Sequence, residues 1–279
     1  MITYKTLLKY KLIKKKNINI FSRGARDNSK LLVFQDKVEK VIFLKNNTLK
    51  PSHYEKMVYK KDRYPLNDSE RRIDQFKKFL KNKNILDVGC GTGDFLKKIK
   101  GAKSLNGLEV SMEYISNIKK KSKEINMYNN FNQIKKKFDT ITLFHVLEHI
   151  EDPVNFLNKI KKFLKKSGHL IIEVPSANDY LLNHKISPDY VKNSMWAEHF
   201  ILYTPAVLKK FLNLSKLKSI KMMNFQRYNL NNHLHWFIKG KPCGHMLYKA
   251  VKNKKMLEEY DKNLVKLKQA DTLIAIAKL

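Results

Sequence analysis

Three glycines alternate with other residues in Gly89-Cys90-Gly91-Thr92-Gly93, directly after the apolar run Ile85-Leu86-Asp87-Val88. A strand running into such a loop lets the backbone approach a ligand closely, at the carboxyl edge where open α/β sheets bind cofactors. Glu109 follows Gly89 by 20 residues, where a carboxylate ending the second strand can accept hydrogen bonds from both hydroxyls of an adenosine ribose. Asp94 stands where the dinucleotide fingerprint Gly-x-Gly-x-x-Gly requires glycine, and an aspartate there repels a pyrophosphate lying over the next helix. A Gly-x-x-x-x-Gly-Lys-Ser/Thr phosphate loop is also absent. The residues therefore suit an adenosine whose other end carries no phosphates.

These groups meet only if the surrounding chain builds an alternating α/β sheet, and its punctuation predicts one. Asp68 or Ser69 can cap a helix with Ile73, Phe76, Phe79 and Leu80 at helical spacing. Strands are expected at Asn84–Val88, Ser104–Val110, Ile125–Tyr128 and the continuous apolar run Thr140–Phe144, of the kind found in buried parallel strands. A helix capped by Asp152 and opened by Pro153 is expected to end at Ser167-Gly168. Strands at His169–Val174, Leu217–Met223 and Thr272–Ala277, with a helix from Thr204-Pro205, complete a doubly wound, seven-stranded, mostly parallel α/β sheet. Residues 1–67, with strand-like runs Lys30–Phe34 and Lys40–Leu44 before the polar stretch Lys45–Ser52 and Tyr-rich loops, read as a small β-rich appendage on a domain spanning 68–279. Within that domain residues 224–269 are too long for a bare loop, and a helix is expected from about Met246 to Lys268.

Composition narrows the partners. The 279 residues carry 57 Lys+Arg against 25 Asp+Glu, a formal charge of +32, which first suggests a polyanion. Only six of the basic residues are arginine, the bidentate reader of phosphate, and the lysines are spread through every segment. Nucleic acid is therefore not the expected partner. Two cysteines, Cys90 and Cys243, form neither a disulfide framework nor a ligand set, which fits a cytoplasmic setting. Lysines interrupt every apolar run, so no membrane span and no secretory leader are expected.

Four ordered blocks give a more specific reading: Leu86–Gly93, Gly107-Leu108-Glu109-Val110-Ser111, Phe138–Pro153 and Gly168–Pro175. Together they resemble the class I S-adenosylmethionine-dependent methyltransferases, a Rossmann-like fold. The block Val146-Leu147-Glu148-His149-Ile150-Glu151-Asp152-Pro153 is similar to that of the ubiquinone-biosynthesis type of small-molecule methyltransferase. The resemblance implies that Asp87 and the loop Gly89, Cys90, Gly91, Thr92 and Gly93 hold the methionine part of S-adenosyl-L-methionine, and Glu109 its ribose. Asn130 would face the adenine in place of the family's acidic residue, and Phe144 would lie beside the transferred methyl.

The resemblance also implies that His145, directly after the fourth strand, faces the acceptor, and it makes His149 and His199 further candidates for the base that a hydroxyl acceptor needs. Some ubiquinone-type relatives bind a divalent metal with Glu-x-x-Glu-His; His145-x-x-Glu148-His149 lacks one of those carboxylates, and no resident metal is expected. The segment from Trp196 to Tyr203 resembles the family's lid. Residues 231–245, with His235, Trp236, Lys241 and His245, are similar to segments of methyltransferases associated with bacterial surface-polysaccharide synthesis. An aromatic face beside amide and imidazole donors suits a sugar. The expected function is methyl transfer to a small-molecule or glycan acceptor. An RNA or protein methyltransferase and a non-catalytic binding module on the same fold are the alternatives.

Overall fold

The computed structural model describes residues 2–45 and 68–279. The polar stretch beyond Lys45 and the Tyr-rich loops expected before Pro65 lie outside the described residues. The main sheet has seven strands: β4 (Asn84–Val88), β5 (Ser104–Leu108), β6 (Ile125–Tyr128), β7 (Phe138–Phe144), β8 (Leu164–Pro175), β10 (Lys218–Phe225) and β11 (Thr272–Lys278). Their spatial order is β6-β5-β4-β7-β8-β11-β10, and β11 alone runs antiparallel to its neighbours. The order reverses between β4 and β7, and the crevice at that switch point is where such sheets bind ligands. β4 and β7 are buried on both faces, with Ile85, Leu86, Ile141 and Leu143 fully covered and Asp87, Thr140 and Thr142 buried beside them.

A second, four-stranded antiparallel sheet holds β1 (Ile18–Arg23), β2 (Leu32–Asp36), β3 (Ile42–Leu44) and β9 (Ile201–Leu202). Its fourth strand comes from far along the chain, with Phe43 paired to Ile201 and Ile42 to Leu202. The N-terminal strands thus grip the segment that carries His199.

Three boundaries differ from the sequence reading. The first residues, Ile2–Lys9, form helix α1, because Leu7 packs into the small sheet and Tyr4 stacks on Phe43 at 6.1 Å. The helix opened by Pro153 ends at Ile160, and Ser167-Gly168 lie inside β8. There the pairing to β7 jumps from Leu164 to His169, and a Cβ on Gly168 would stand 2.9 Å from the Leu164 side chain. Finally, the chain between β10 and β11 holds three helices, Leu230–Lys239, Gly244–Leu247 and Lys254–Lys266. Gly240, at φ +60, ends the first of them; the helix expected from about Met246 begins only at Lys254, after the separate short helix Gly244–Leu247, and the His-Trp segment is itself helical.

Candidate active site

The glycine loop turns sharply out of β4. Gly89 has φ +69, and a Cβ there would meet Val146 Cγ2 at 2.6 Å, so this position requires glycine for both conformation and space. Gly107 on β5 is fixed by packing, since a Cβ would strike Cys90 Sγ at 2.7 Å and Met127 Sδ at 2.8 Å. Glu109 holds the loop from the neighbouring strand: its carboxylate accepts from the N–H of Gly91 (2.8 Å), Val110 (2.8 Å) and Ser111 (3.0 Å).

A cavity of about 740 Å³ opens over this loop, lined by Asp87, Gly89, Cys90, Gly91 and Thr92 on one side and by Phe144, His145, Glu148, His149, Trp196 and His199 on the other. Of the expected cofactor residues, Asp87, Gly89, Cys90, Gly91, Thr92 and Phe144 face one space with all three candidate histidines, whereas Gly93, Glu109 and Asn130 are not part of its lining. Asp87 is buried with Thr142 Oγ1 donating to it at 2.6 Å. Burial, reinforced by the Glu109 charge, pushes its pKa up to about 7, against the opposing Thr142 bond and the Arg72 charge. A buried carboxylate of this kind is matched by a cationic group such as the α-ammonium of S-adenosylmethionine, which would restore its ionised form. The open backbone at Gly91, with nothing within 4 Å of an added Cβ, completes a cradle that fits the cofactor. Cys90 lines the same cavity, and burial keeps it a thiol. Asn130 points elsewhere: its side chain accepts from the N–H of Asn132 and donates to Asn129.

The histidines divide by their partners. His145 has φ +56, and its Nδ1 lies 3.1 Å from Glu148 while its Nε2 lies 3.4 Å from Glu173. Burial and the Arg227 charge press its pKa down, but the bonds and charges of the two carboxylates outweigh them and raise it. Glu148 stays ionised in spite of burial through the same contact with His145. Burial, aided by the His149 charge, drives His199 down to about 3, so it is neutral. His199 stands edge-on to His149 at 4.9 Å, and its Nδ1 is buried with no hydrogen-bond partner among the described residues. Glu148, His149 and His199 bring one ligand atom each within 4.8 Å of one another, a donor set that could hold a small divalent cation.

A second cavity of about 350 Å³ adjoins the first and shares Arg26, Trp196, His199 and Arg227 with it. Its walls include Tyr190, Asn193, Asn232, Trp236 and His245. Of the expected acceptor residues, Trp196, Trp236 and His245 line it, whereas Tyr203, His235 and Lys241 do not. Tyr203 is fully buried and donates to the Leu147 carbonyl at 3.0 Å. His235 stacks on Tyr248 at 5.7 Å, and Lys241 is exposed beside Pro242. No lysine lines either cavity among the described residues.

Sequence reasoning missed four residues here. Glu173 collects Arg71 (2.8 Å), Arg72 (2.6 Å) and the His145 contact while fully buried in β8. A lone carboxylate inside Ile171-Ile172-Glu173-Val174 was the available signal, since such a charge must be paired. Arg72 lies over Phe144 at 4.4 Å, Arg227 pairs with Asp68 at 2.5 Å, and Arg26 enters from the N-terminal sheet; none of the three carries a local motif.

The methyltransferase-domain family matches residues 59–237, a stretch holding the glycine loop, Glu109, the histidines and Trp236. A tRNA U34 carboxymethyltransferase of Nautilia profundicola is 27% identical over 159 residues, 53% of this chain and 52% of its own. A ubiquinone biosynthesis O-methyltransferase of Actinobacillus pleuropneumoniae is 26% identical over 187 residues, 57% of this chain and 79% of its own. The chain thus spans about half the length of the tRNA-modifying relative. The solved structure of a mycolic acid cyclopropane synthase with SAH superposes with a TM-score of 0.50 at 13% identity, over 75% of this chain and 84% of that one. With the sheet order and the adenosine-type loop, the family match identifies the protein: it belongs to the S-adenosylmethionine-dependent methyltransferases.

Proposed function

We propose that the protein is a cytoplasmic enzyme that methylates a hydroxyl of a sugar or sugar-linked small molecule seated in the second cavity. One observation carries this reading: a cavity lined by Trp196, Asn193, Asn232, Trp236 and His245 adjoins the cofactor cavity and shares Trp196 and His199 with it. Aromatic faces beside amide and imidazole groups suit the apolar face and hydroxyls of a sugar ring. The extension to a surface-polysaccharide precursor rests on the resemblance of residues 231–245 alone.

Bound S-adenosylmethionine, held by Asp87 and the glycine loop, would supply an electrophilic methyl whose sulfonium sulfur is the leaving group when an acceptor oxygen takes it. The protein's task is to align that oxygen and keep water out. Trp196 and His199 stand at the boundary of the two cavities, and the neutral imidazole of His199 is the group placed to take a hydrogen bond from the acceptor hydroxyl. Phe144 covers the cofactor side, held by Phe76 and Phe95 at 5.9 and 5.0 Å. His145, between two carboxylates, acts in this reading as a fixed cation that shapes the loop after β7.

Purified protein incubated with S-adenosylmethionine and a panel of nucleotide sugars and glycan fragments, followed by mass spectrometry, tests the proposal. Methylated sugar is the expected product. Methylated RNA with every sugar untouched would overturn it.

A further inference from the structure

Structural arginines around the cavities come with a carboxylate: Arg72 has Glu173 at 2.6 Å, and Arg227 has Asp68 at 2.5 Å. Arg26 is different. It lines both cavities, yet no carboxylate pairs with its guanidinium among the described residues. Its planar group lies on the ring of Trp196 at 4.3 Å, a stacking that fixes the plane and leaves its N–H edges, on an exposed side chain, without an acceptor among the described residues.

The backbone beneath it is pinned. The Arg26 N–H donates to the Met195 carbonyl at 2.9 Å, and the neighbouring Asp27 carboxylate accepts from the Ala197 N–H at 2.9 Å. Asp27 is thereby engaged with the lid backbone. Two other carboxylates of the second cavity, Asp179 and Asp271, are both driven toward their neutral forms by burial. A preorganised cation with five donors at the junction of two cavities is a reader of an oxyanion.

We propose that Arg26 is an anion subsite of the acceptor cavity, and that the acceptor is a phosphorylated or nucleotide-activated sugar whose phosphate is gripped by its guanidinium. This rests on the sugar reading above and names the activated form of that substrate. It also gives the N-terminal sheet a part in substrate choice, since that sheet supplies the residue.

The test is titration calorimetry on the full chain saturated with S-adenosylhomocysteine, using UDP-glucose, inorganic pyrophosphate and a short single-stranded RNA as probes. Lys162→Ala is the charge-matched control, because Lys162 is exposed and precedes the start of β8, at the sheet edge opposite the glycine loop. UDP-glucose and pyrophosphate should bind about tenfold more weakly to Arg26→Ala, with Lys162→Ala unchanged and Arg26→Lys in between. The melting temperature should be the same in all variants, which reports an intact fold, and S-adenosylhomocysteine affinity should be unchanged in Lys162→Ala.

Equal weakening in Arg26→Ala and Lys162→Ala would mean diffuse attraction to a basic surface and would overturn the proposal. So would an Arg26 dependence seen with RNA alone. If wild-type protein fails to bind S-adenosylhomocysteine, the methyl-transfer reading fails first and by itself.

Discussion

His145 and Glu173 are joined twice: the backbone N–H of His145 donates to the Glu173 carbonyl at 2.8 Å, and the His145 Nε2 lies 3.4 Å from Glu173 Oε1. The end of β7 and the middle of β8 are thereby tied at the floor of the cavity. With Glu148 on the other ring nitrogen, the imidazole is set up to carry protons on both.

Nitrogen-15 shifts of labelled protein in metal-free buffer should accordingly show His145 titrating above the ordinary imidazole range, and Glu148→Gln should bring its pKa down. An unshifted or lowered titration would remove it as the fixed cation. Its raised pKa also has a thermal signature. The stability it contributes is complete below the unfolded value of about 6.5 and is lost as pH rises through the folded value. His145→Gln should flatten that part of the curve of melting temperature against pH.

Asp87 gives the opposite proton flow. With its pKa near 7 it is mostly protonated at pH 6, and a cofactor ammonium beside it favours the ionised form. S-adenosylhomocysteine binding at pH 6 should therefore release a proton, visible as a dependence of binding enthalpy on buffer. The release should fade above pH 8 and vanish in Asp87→Asn; proton uptake at pH 6 would contradict this account.

The glycines of the loop are not equivalent. Gly89→Ala meets both a positive φ and Val146, so it should abolish cofactor binding, whereas Gly91→Ala meets only its φ of +52 and should cost about 1 kcal/mol of stability. Adding Val146→Ala to Gly89→Ala should restore part of the binding. Without any rescue, the close contact is not what excludes a side chain there.

The two tryptophans should separate packing from recognition. Trp236 is 3% exposed and packs edge-on against Tyr190 at 5.2 Å, so Trp236→Ala should lower stability by about 3–5 kcal/mol. Trp196 is only half-buried. Trp196→Ala should leave the melting temperature within a few degrees of wild type while raising the acceptor KM at least tenfold. Denaturant unfolding and steady-state kinetics on the same preparations decide between these outcomes.

The sheet was legible because β4, β7 and the Leu170–Val174 half of β8 are apolar runs bounded by turns or caps, and the glycine loop with Glu109 could be found from spacing alone. Asp152 and Thr204 cap their helices as their sequence neighbourhoods imply, accepting from Asn155 and Val207. Long-range partners were not legible. Glu173, Arg72 and Arg227 acquire their roles from residues about 100 or more positions away. The asparagine and histidine density after β10 also misled: Asn231 braces Val251 through both its amide groups, and His233 bonds Tyr260 and Gln226. These polar groups sit inside a helical bundle, where burial demands partners.

The pairing of β3 with β9 sets an order of events during synthesis. Phe43 finds its strand partner at Ile201, about 160 residues later, so the small sheet is a contact of high sequence separation and forms late. The first strands must wait, with one edge open, until the segment around Ile201–Leu202 has left the ribosome. Closure of that edge and completion of the wall that carries His199 are then a single step, so a nascent chain completes that wall only when β3 and β9 have met.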